Sequence, residues 1–163
     1  MKNMIVMCGK SGSGKNYIPE ALGLKLCVGN TSRLKRDTDV DYRFYDYNYF
    51  DKNIELKDVI IPTYYCDNYY WTMLEDFQDK KYDYMVADNR GVEELLDDIL
   101  HRDLKRGISF VYVETPLISR IRNMRRRKNS WSQIWQRLIV DRDHFKNTKK
   151  LVLENNGVVI KGG

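Results

Sequence analysis

The glycine-rich segment Gly9–Lys15 is the part of the sequence whose residue types and spacing point most directly to chemistry. It follows a short apolar run and reads Gly-Lys-Ser-Gly-Ser-Gly-Lys. Glycines permit positive φ angles that turn successive backbone N–H groups inward around phosphate oxygens. A lysine at the end of such a loop reaches the β- and γ-phosphates of a nucleoside triphosphate. The alternative is a glycine turn with a surface lysine. We predict that ATP contacts Gly9, Ser11, Gly12, Ser13, Gly14, Lys15 and Asn16.

Asn16 occupies the position after the lysine, where such loops normally carry a Ser or Thr hydroxyl that binds Mg²⁺. An amide oxygen can also bind Mg²⁺, although its length and direction differ, so Asn16 is the predicted metal ligand. A helix beginning near Gly14 would direct the partial positive charge of its N-terminus towards the phosphates. Pro19 would then lie in the first turns of that helix, where proline is tolerated.

The elements that must hold this loop alternate between short apolar runs and helical patterns. Buried strands are predicted at Asn3–Cys8, Tyr82–Ala87 and Ile108–Val113, with a further candidate at Leu151–Leu153. Helices are predicted at Val92–Leu104 and from Pro116 onwards. This order is typical of an α/β fold, in which helices flank a parallel sheet with right-handed crossovers.

Two stretches depart from the alternation. Asn30–Tyr70 is rich in Tyr, Asp and Asn and contains short alternating pieces, which indicates an inserted subdomain with a mixed or antiparallel sheet. Asn156-Gly157 lies between two apolar runs, and this spacing predicts a terminal β-hairpin.

The composition excludes several classes of protein. The chain has 163 residues, 42% of them hydrophobic, which suits a single domain with one core. A net charge of +5 suits anionic partners without choosing among nucleotides, nucleic acids and acidic surfaces. Three cysteines without metal-ligand spacing fit a reducing compartment, and the first apolar run is too short to cross a membrane. We expect a cytoplasmic protein with no membrane partner.

Four short motifs follow the loop in a particular order. They are Thr31-Ser32-Arg33-x-x-Arg36, Asp41-Tyr42-x-Phe44, Asn68-Tyr69-Tyr70 and Asp88-x-x-Gly91. Their order and spacing resemble the guanylate kinase family, whose corresponding segments read TTRxxR, DYxF, NYYG and DxQG. The resemblance extends from about residue 4 to residue 145.

The resemblance implies that the insert binds a nucleoside monophosphate. Family members hold its phosphate with arginines and tyrosines, and this role falls here on Arg33, Arg36, Tyr42 and Tyr70. Tyr69 is an equal alternative to Tyr70. The residue types suit the role, because guanidinium groups match phosphate oxygens bidentately and phenol hydroxyls add directional donors.

Two further positions belong to the acceptor site by resemblance. Thr72 keeps a hydroxyl where the family has a serine, and Asp88 ends the strand that precedes a predicted helix. Asp88 would contact the acceptor base, hold a water of the Mg²⁺ shell or cap the following helix, and the sequence leaves these three open. Val86 occupies a position that is usually acidic in the family.

Basic residues crowd the segment from 120 to 128, before Ser130, a predicted N-cap. Family members have two arginines four apart before a short lid and a third eleven residues later, and Arg122, Arg126 and Arg137 fall at these spacings. Arginines in a lid can neutralise charge on a transferring phosphoryl group. We predict these three as catalytic, together with Lys15. A solvated charged face remains the alternative for Arg125, Arg127 and Lys128.

The acceptor base is less well defined by the sequence. The family places a glutamate nine residues before the second tyrosine of NYYG, and Ile61 stands there. Glu55 or Asp67 could substitute for it. Trp71 replaces the glycine after the tyrosines, and the segment between Arg36 and Tyr42 is about three residues shorter than usual.

The resulting prediction is an α/β fold with a P-loop NTPase-type parallel sheet flanked by helices, an inserted monophosphate-binding subdomain and a short lid. One domain would span 1–163, with a core of 1–29 and 73–163, an insert of about 30–72 and a lid of about 123–131. It would transfer the γ-phosphate of ATP, with Mg²⁺, to a (d)NMP, with GMP or dGMP the first candidates.

Two other functions are alternatives. One is a catalytically degenerate guanylate kinase-like binding module, and its members typically lose the loop lysine that this chain retains. The other is a nucleic-acid-binding protein that uses the basic segment with Trp131 and Trp135. It ranks last, because tryptophans four apart on a helix are more commonly explained by core packing.

Overall fold

Strands and helices alternate along the chain, and the structure, a computed structural model, describes residues 2–35, 42–65 and 67–162. The strands are β1 (Met4–Cys8), β2 (Gly29–Thr31), β3 (Tyr42–Phe44), β4 (Val59–Tyr65), β5 (Asn68–Met73), β6 (Tyr84–Ala87), β7 (Ile108–Glu114) and β8 (Val158–Lys161). The helices are α1 (Tyr17–Ala21), α2 (Tyr49–Asn53), α3 (Leu74–Gln78), α4 (Asn89–His101), α5 (Leu117–Arg126), α6 (Trp131–His144) and α7 (Thr148–Glu154). Within the described ranges, no helix has the length and apolarity that a membrane crossing requires.

The first sheet is parallel throughout, with its strands in the order β6-β1-β7-β8. The strands predicted at Asn3–Cys8, Tyr82–Ala87 and Ile108–Val113 are confirmed as β1, β6 and β7. The predicted helices are confirmed as α4 and α5. The strands are buried because helices cover the sheet, and α4 contributes Val92 and Leu95 to the core. The predicted α/β fold is therefore correct.

The end of the chain differs from its prediction. Leu151–Leu153, the further candidate strand, lies inside α7, and Val152 is completely buried against the main core. Asn156-Gly157 does not form a hairpin, because β8 pairs in parallel with β7. Asn156 has a positive φ of 57°, and the Gly157 N–H donates to the Val152 carbonyl oxygen at 2.8 Å. These are features of a helix C-terminus, where Asn and Gly are favoured for the same left-handed conformation that they supply to hairpins.

The second sheet is mixed, with the order β3-β2-β5-β4. β2 is parallel to β3 and antiparallel to β5, and β4 is antiparallel to β5. This confirms the mixed sheet predicted for Asn30–Tyr70. A small core of Phe50, Val59 and Trp71 supports it, with Tyr69 stacked on Phe50 at 4.7 Å between ring centroids.

The second sheet packs against α4, the helix that follows β6. Arg102 donates to the carbonyl oxygens of Val59 at 2.7 Å and of Lys57 at 2.5 Å, and Arg90 donates to that of Tyr64 at 3.4 Å. Ile61 lies in the main core, and its Cγ2 atom is 3.0 Å from where a Cβ on Gly91 would lie. These contacts place β4 beside the start of α4, at the end of the parallel sheet where β6 terminates.

Candidate functional site

The glycine loop begins where β1, an inner strand of the parallel sheet, ends. Gly9, Gly12 and Gly14 have φ angles of 152°, 75° and 92°, so the predicted positive φ angles are confirmed. The Ser13 N–H donates to the Lys10 carbonyl oxygen at 3.0 Å and closes a turn within the loop. In open α/β sheets, ligands bind outside the carboxyl ends of the strands. The loop lies at that edge.

Three carbonyl oxygens of the loop are held by side chains from later parts of the chain. The Ser11 carbonyl accepts from Arg120 Nε at 2.9 Å, and that of Gly12 accepts from Asn123 Nδ2 at 3.0 Å. The Ser13 carbonyl accepts from Thr115 Oγ1 at 2.8 Å. The shape of the loop is therefore fixed by β7 and α5 as well as by its own glycines.

Asp141 of α6 completes this support. Its carboxylate accepts from the N–H and the hydroxyl of Ser11 at 2.8 and 3.0 Å, and it pairs with Arg120 at 2.5 Å. Asp141 belongs to no sequence motif, and Arg120 is one of several basic residues in the segment from 120 to 128. No local pattern marks either residue, since the two meet only when α5 and α6 pack against the loop.

Lys15 lies in an environment that disfavours its charge. The pKa of its ammonium group is lowered to about 8, chiefly by burial, and the positive charges of Arg127 and Arg137 contribute to this shift. Asp141 acts in the opposite direction. A desolvated cation of this kind is stabilised when phosphate oxygens reach it, which suits a lysine whose task is to contact a triphosphate.

The loop also has the polar groups that a phosphate ligand needs. Ser13 is 2% exposed, and its hydroxyl oxygen is buried without a hydrogen-bond partner among the described residues. Buried polar atoms are normally hydrogen-bonded, so an unpaired hydroxyl inside a glycine loop fits a site for an anionic ligand. The residues present therefore fit the phosphates of ATP.

The helix after the loop is shorter than predicted. α1 begins at Tyr17 rather than near Gly14, and it ends at Ala21. The first helical hydrogen bond nevertheless runs from the Ile18 N–H to the Gly14 carbonyl oxygen, at 2.9 Å. Pro19, which is buried, lies in the first turn as predicted. A helix of one turn adds little macrodipole, so the loop amides and Lys15 must supply most of the positive potential.

Asn16 is the N-cap of α1, directly after Lys15. The described residues contain no group of three His, Cys, Asp or Glu side chains that could hold a metal ion. Mg²⁺ in phosphate-transfer sites is bound mainly by phosphate oxygens and water, with one or two oxygen ligands from the protein. One amide oxygen from Asn16 fits that requirement.

The predicted acceptor residues that the structure describes meet on the second sheet. The Arg33 guanidinium carbon is 5.8 Å from the centroid of the Tyr42 ring and 5.7 Å from that of Phe44. Tyr70 contacts Tyr42 edge to face at 5.9 Å between ring centroids. Tyr69 instead stacks on Phe50, so Tyr70 is the tyrosine that contacts the ring beside the Arg33 guanidinium. Arg36 lies outside the described residues.

Thr72 belongs to β5 of the second sheet, whereas Asp88 follows β6 of the parallel sheet. Thr72 is buried and pairs with Ile60 across β4 and β5. Asp88 follows β6 and is the N-cap of α4, because its carboxylate accepts from the Gly91 N–H at 2.9 Å. Its charge and that of Lys15 both act on the buried Cys8 thiol. The capping role is thus observed, and contacts with a base or a metal-bound water stay predictions.

The predicted catalytic arginines are distributed over α5 and α6. Arg122 and Arg126 are exposed on α5, whereas Arg137 of α6 acts electrostatically on Lys15. Arg127, for which a solvated face was left open, also acts on Lys15. The predicted lid comprises the end of α5 and a turn before α6, whose N-cap Ser130 forms a capping box with Gln133. The cap prediction is confirmed.

Core packing, the predicted explanation for Trp131 and Trp135, is wrong. Their side chains are 57% and 62% exposed. α6 instead buries Ile134 and Asp141, which lie two turns apart on the face towards the loop. The Arg125 guanidinium carbon lies 5.0 Å from the centroid of the Trp131 ring.

No protein-family model matches the chain, and a comparison with curated proteins finds no match. Among solved structures, the crystal structure of guanylate kinase from Anaplasma phagocytophilum superposes with a TM-score of 0.59 at 17% sequence identity. The alignment covers 98% of this chain and 76% of that one. The chain has a guanylate kinase-like fold. At this level of identity, the comparison establishes the fold and leaves activity and base preference as proposals.

Within the guanylate kinase-like fold, the position expected to carry a base-contacting glutamate is structural. Ile61 is 9% exposed and has a φ of 54°, a costly conformation for a β-branched residue. Neither substitute considered from the sequence shows a comparable position. Glu55 is exposed and pairs with Lys57, and Asp67 accepts from the Tyr64 hydroxyl at 3.4 Å in the turn after β4.

Replacing Gly12 by alanine is expected to distort the loop. A Cβ atom there would lie 2.5 Å from the Arg120 carbonyl oxygen, and a φ of 75° is unfavourable for any residue with a side chain. A backbone atom cannot rotate away, so the loop or α5 must move. We expect a loss of about 3 kcal/mol in the free energy of unfolding, measured by urea denaturation.

Gly23→Ala is the matched control for this substitution. Gly23 has a similar φ of 71°, but its added Cβ would meet nothing within 4 Å. It should therefore lose only the conformational part, about 1 kcal/mol. Equal losses in the two variants would show that the close approach of Gly12 to Arg120 does not matter.

Proposed function

We propose that the chain is a nucleoside monophosphate kinase that transfers the γ-phosphate of ATP to a (d)NMP, with GMP and dGMP as first candidates. The observation that carries the proposal is the geometry of the glycine loop. It lies at the carboxyl edge of a parallel sheet, its glycines have positive φ angles, and a desolvated Lys15 ends it. The guanylate kinase-like fold supports the same conclusion.

In this proposal, each of the two sheets belongs to the binding site of a different substrate. The parallel core, residues 1–29 and 73–163, would bind ATP through Gly9, Ser11–Asn16 and the loop amides. The insert, about 30–72, would bind the acceptor through its arginines and tyrosines: Arg33, Arg36, Tyr42 and Tyr70. Thr72, which is buried in β5, and Asp88, which follows β6, would lie between the ATP site and the acceptor site.

Catalysis needs positioning and charge neutralisation rather than a general base. The acceptor phosphate is already a competent nucleophile towards the γ-phosphorus, and ADP is the leaving group. Lys15 and Arg137, whose charge acts on Lys15, would stabilise negative charge on the phosphoryl group during transfer. Arg122 and Arg126 would join them when the segment of about 123–131 closes as a lid and excludes water.

Asn16 would hold Mg²⁺ through its side-chain oxygen, as the first residue beyond Lys15. At this position Mg²⁺ would supply neutralisation of the negative charge of the triphosphate. Such a reaction acts on free nucleotides, and we propose that the protein is cytoplasmic. Its cysteines Cys8 and Cys27 are free and buried, as expected for a reducing compartment.

The test is an assay of ADP release with Mg²⁺–ATP across the eight common (d)NMPs. We expect turnover with at least one purine monophosphate, and no ADP release when the acceptor is omitted. Absence of turnover with all eight acceptors would contradict the kinase proposal. Calorimetric binding of nucleotides without turnover would instead support the alternative of a guanylate kinase-like binding module.

A further inference from the structure

The kinase proposal leaves unexplained a buried ion pair beside the phosphate loop. Arg120 of α5 and Asp141 of α6 are joined by a contact of 2.5 Å, and their side chains are only 8% and 6% exposed. Burying two charges costs free energy, and their attraction offsets this cost only when the remaining donors and acceptors are also satisfied. Both residues also form hydrogen bonds with the same loop residue, Ser11.

Ser11 is held at each of its three polar groups. Its N–H and its hydroxyl donate to the two oxygens of Asp141, at 2.8 and 3.0 Å, and its carbonyl accepts from Arg120 Nε at 2.9 Å. The carboxylate thus accepts from three donors. An asparagine at position 141 could keep neutral versions of these contacts, because its oxygen accepts and its NH₂ group can donate to the Ser11 hydroxyl. It would lose the carboxylate charge that strengthens all three hydrogen bonds and balances Arg120.

The ion pair also lies among the charges around Lys15. The charged and titratable groups that face Lys15 are Asp141 and Arg137 from α6, Arg127 from the turn after α5, and Cys8 from β1. Asp141 is the carboxylate of this set, and its charge favours the ammonium form. One side chain therefore contacts the loop backbone and balances the loop lysine.

We propose that Asp141 is a positioning residue of the phosphate site, which with Arg120 holds Ser11 so that the loop keeps its binding shape before a nucleotide arrives. It also joins the loop to α5 and α6, the helices that carry the candidate catalytic arginines. An effect of Asp141 on the affinity for a triphosphate rests on the proposed function. Its hydrogen bonds to Ser11 are present in the nucleotide-free protein and do not depend on that function.

The first measurement is amide hydrogen exchange in the nucleotide-free protein. In Asp141→Asn, the Ser11 amide is expected to exchange roughly 10-fold faster, since a hydrogen bond to a charged acceptor is stronger than one to a neutral acceptor by about that factor. Asp143→Asn is the matched control. It lies on the same helix and removes the same charge, but Asp143 is 72% exposed and pairs with exposed Arg142. The Ser11 amide of Asp143→Asn should exchange at the wild-type rate.

The second measurement is the affinity for a non-hydrolysable ATP analogue with Mg²⁺ at about pH 7. Asp141→Asn should bind roughly 10-fold more weakly, in protein that circular dichroism shows to be fully folded. Asp143→Asn should bind like wild type. A residue that served stability alone would leave the affinity of the folded protein unchanged.

A double variant distinguishes the loss of the hydrogen bonds to Ser11 from unfolding of the protein. Asp141→Asn leaves Arg120 buried without its partner, whereas Arg120→Met with Asp141→Leu removes both charges and retains apolar volume. The double variant should fold, yet exchange its Ser11 amide at least as fast as the single variant, because leucine offers the Ser11 N–H no acceptor. Ser11 exchange equal to wild type in both variants would overturn the inference. If the wild type binds no triphosphate, the kinase proposal fails, and the exchange comparison still decides the role of Asp141.

Discussion

Replacing Lys15 by methionine is expected to lower phosphoryl transfer by about 10²- to 10³-fold, the usual effect of removing one group that stabilises transition-state charge. Methionine keeps most of the length and apolar volume of the side chain, so the change tests the charge. Lys15 ends the loop at the carboxyl edge of the sheet, and Arg137 lies close enough to act on it electrostatically. The measurement is kcat with Mg²⁺–ATP and the best acceptor found.

The same substitution should make the nucleotide-free protein more stable at neutral pH. Burial lowers the pKa of Lys15 from 10.5 to about 8, so the folded chain binds this proton less tightly than the unfolded chain. Between about pH 8 and pH 10.5 the unfolded state therefore holds more protons, and the free energy of unfolding of the wild type rises with pH. Below that window both states are protonated, and the full cost of burying the charge remains. Methionine removes that cost and the pH-dependent rise.

Urea denaturation at about pH 7 and pH 10 measures this effect alongside the assay of turnover. Lys10→Met is the matched control, because it removes the other lysine of the same loop. We expect it to change turnover and the pH dependence of stability only slightly. A Lys15→Met protein with turnover within about tenfold of wild type would contradict the catalytic role of Lys15. If Lys15→Met is more stable and has lost turnover, the charge of Lys15 lowers stability and is needed for activity.

The features predicted correctly from the sequence are those encoded by neighbouring residues. The glycines of the loop, the apolar strand before it and the Ser130 cap each need only a few adjacent positions. Arg33, Tyr42 and Tyr70, which the resemblance assigns to one phosphate site, lie on neighbouring segments because β2 pairs with both β3 and β5. Their role in binding a substrate stays a prediction. In each case the local pattern and the final contact agree.

The features missed or wrongly predicted depend on contacts between distant segments. The Asn156-Gly157 pair suits either a hairpin or a helix end, and pairing of β8 with β7 decides between them. The two tryptophans of α6 have helical spacing, but the helix turns Asp141 towards the loop instead. A buried charge has no sequence signature of its own, since burial is set by what packs around it. The largest such omission lies far from the loop.

Arg106, between α4 and β7, is 3% exposed and was not singled out by any sequence pattern. Its five N–H donors all reach backbone carbonyl oxygens, in five hydrogen bonds between 2.5 and 3.4 Å. The acceptors belong to Lys2, Asn3, Phe77, Asp79 and Tyr82. One side chain therefore joins the segment before β1, the end of α3 and the segment before β6.

Arg106→Leu is expected to cost about 4 kcal/mol in the free energy of unfolding, because it leaves several carbonyl groups without a donor in a site closed to water. Arg106→Lys keeps the charge but has three donors on one nitrogen, so it should recover only part of this, leaving a loss of about 2 kcal/mol. Urea denaturation with unchanged m-values measures both. Arg142→Leu, at a side chain that is 80% exposed, should stay within about 0.5 kcal/mol of wild type. Full recovery by lysine would mean that the charge, and not the planar set of five donors, holds these three segments together.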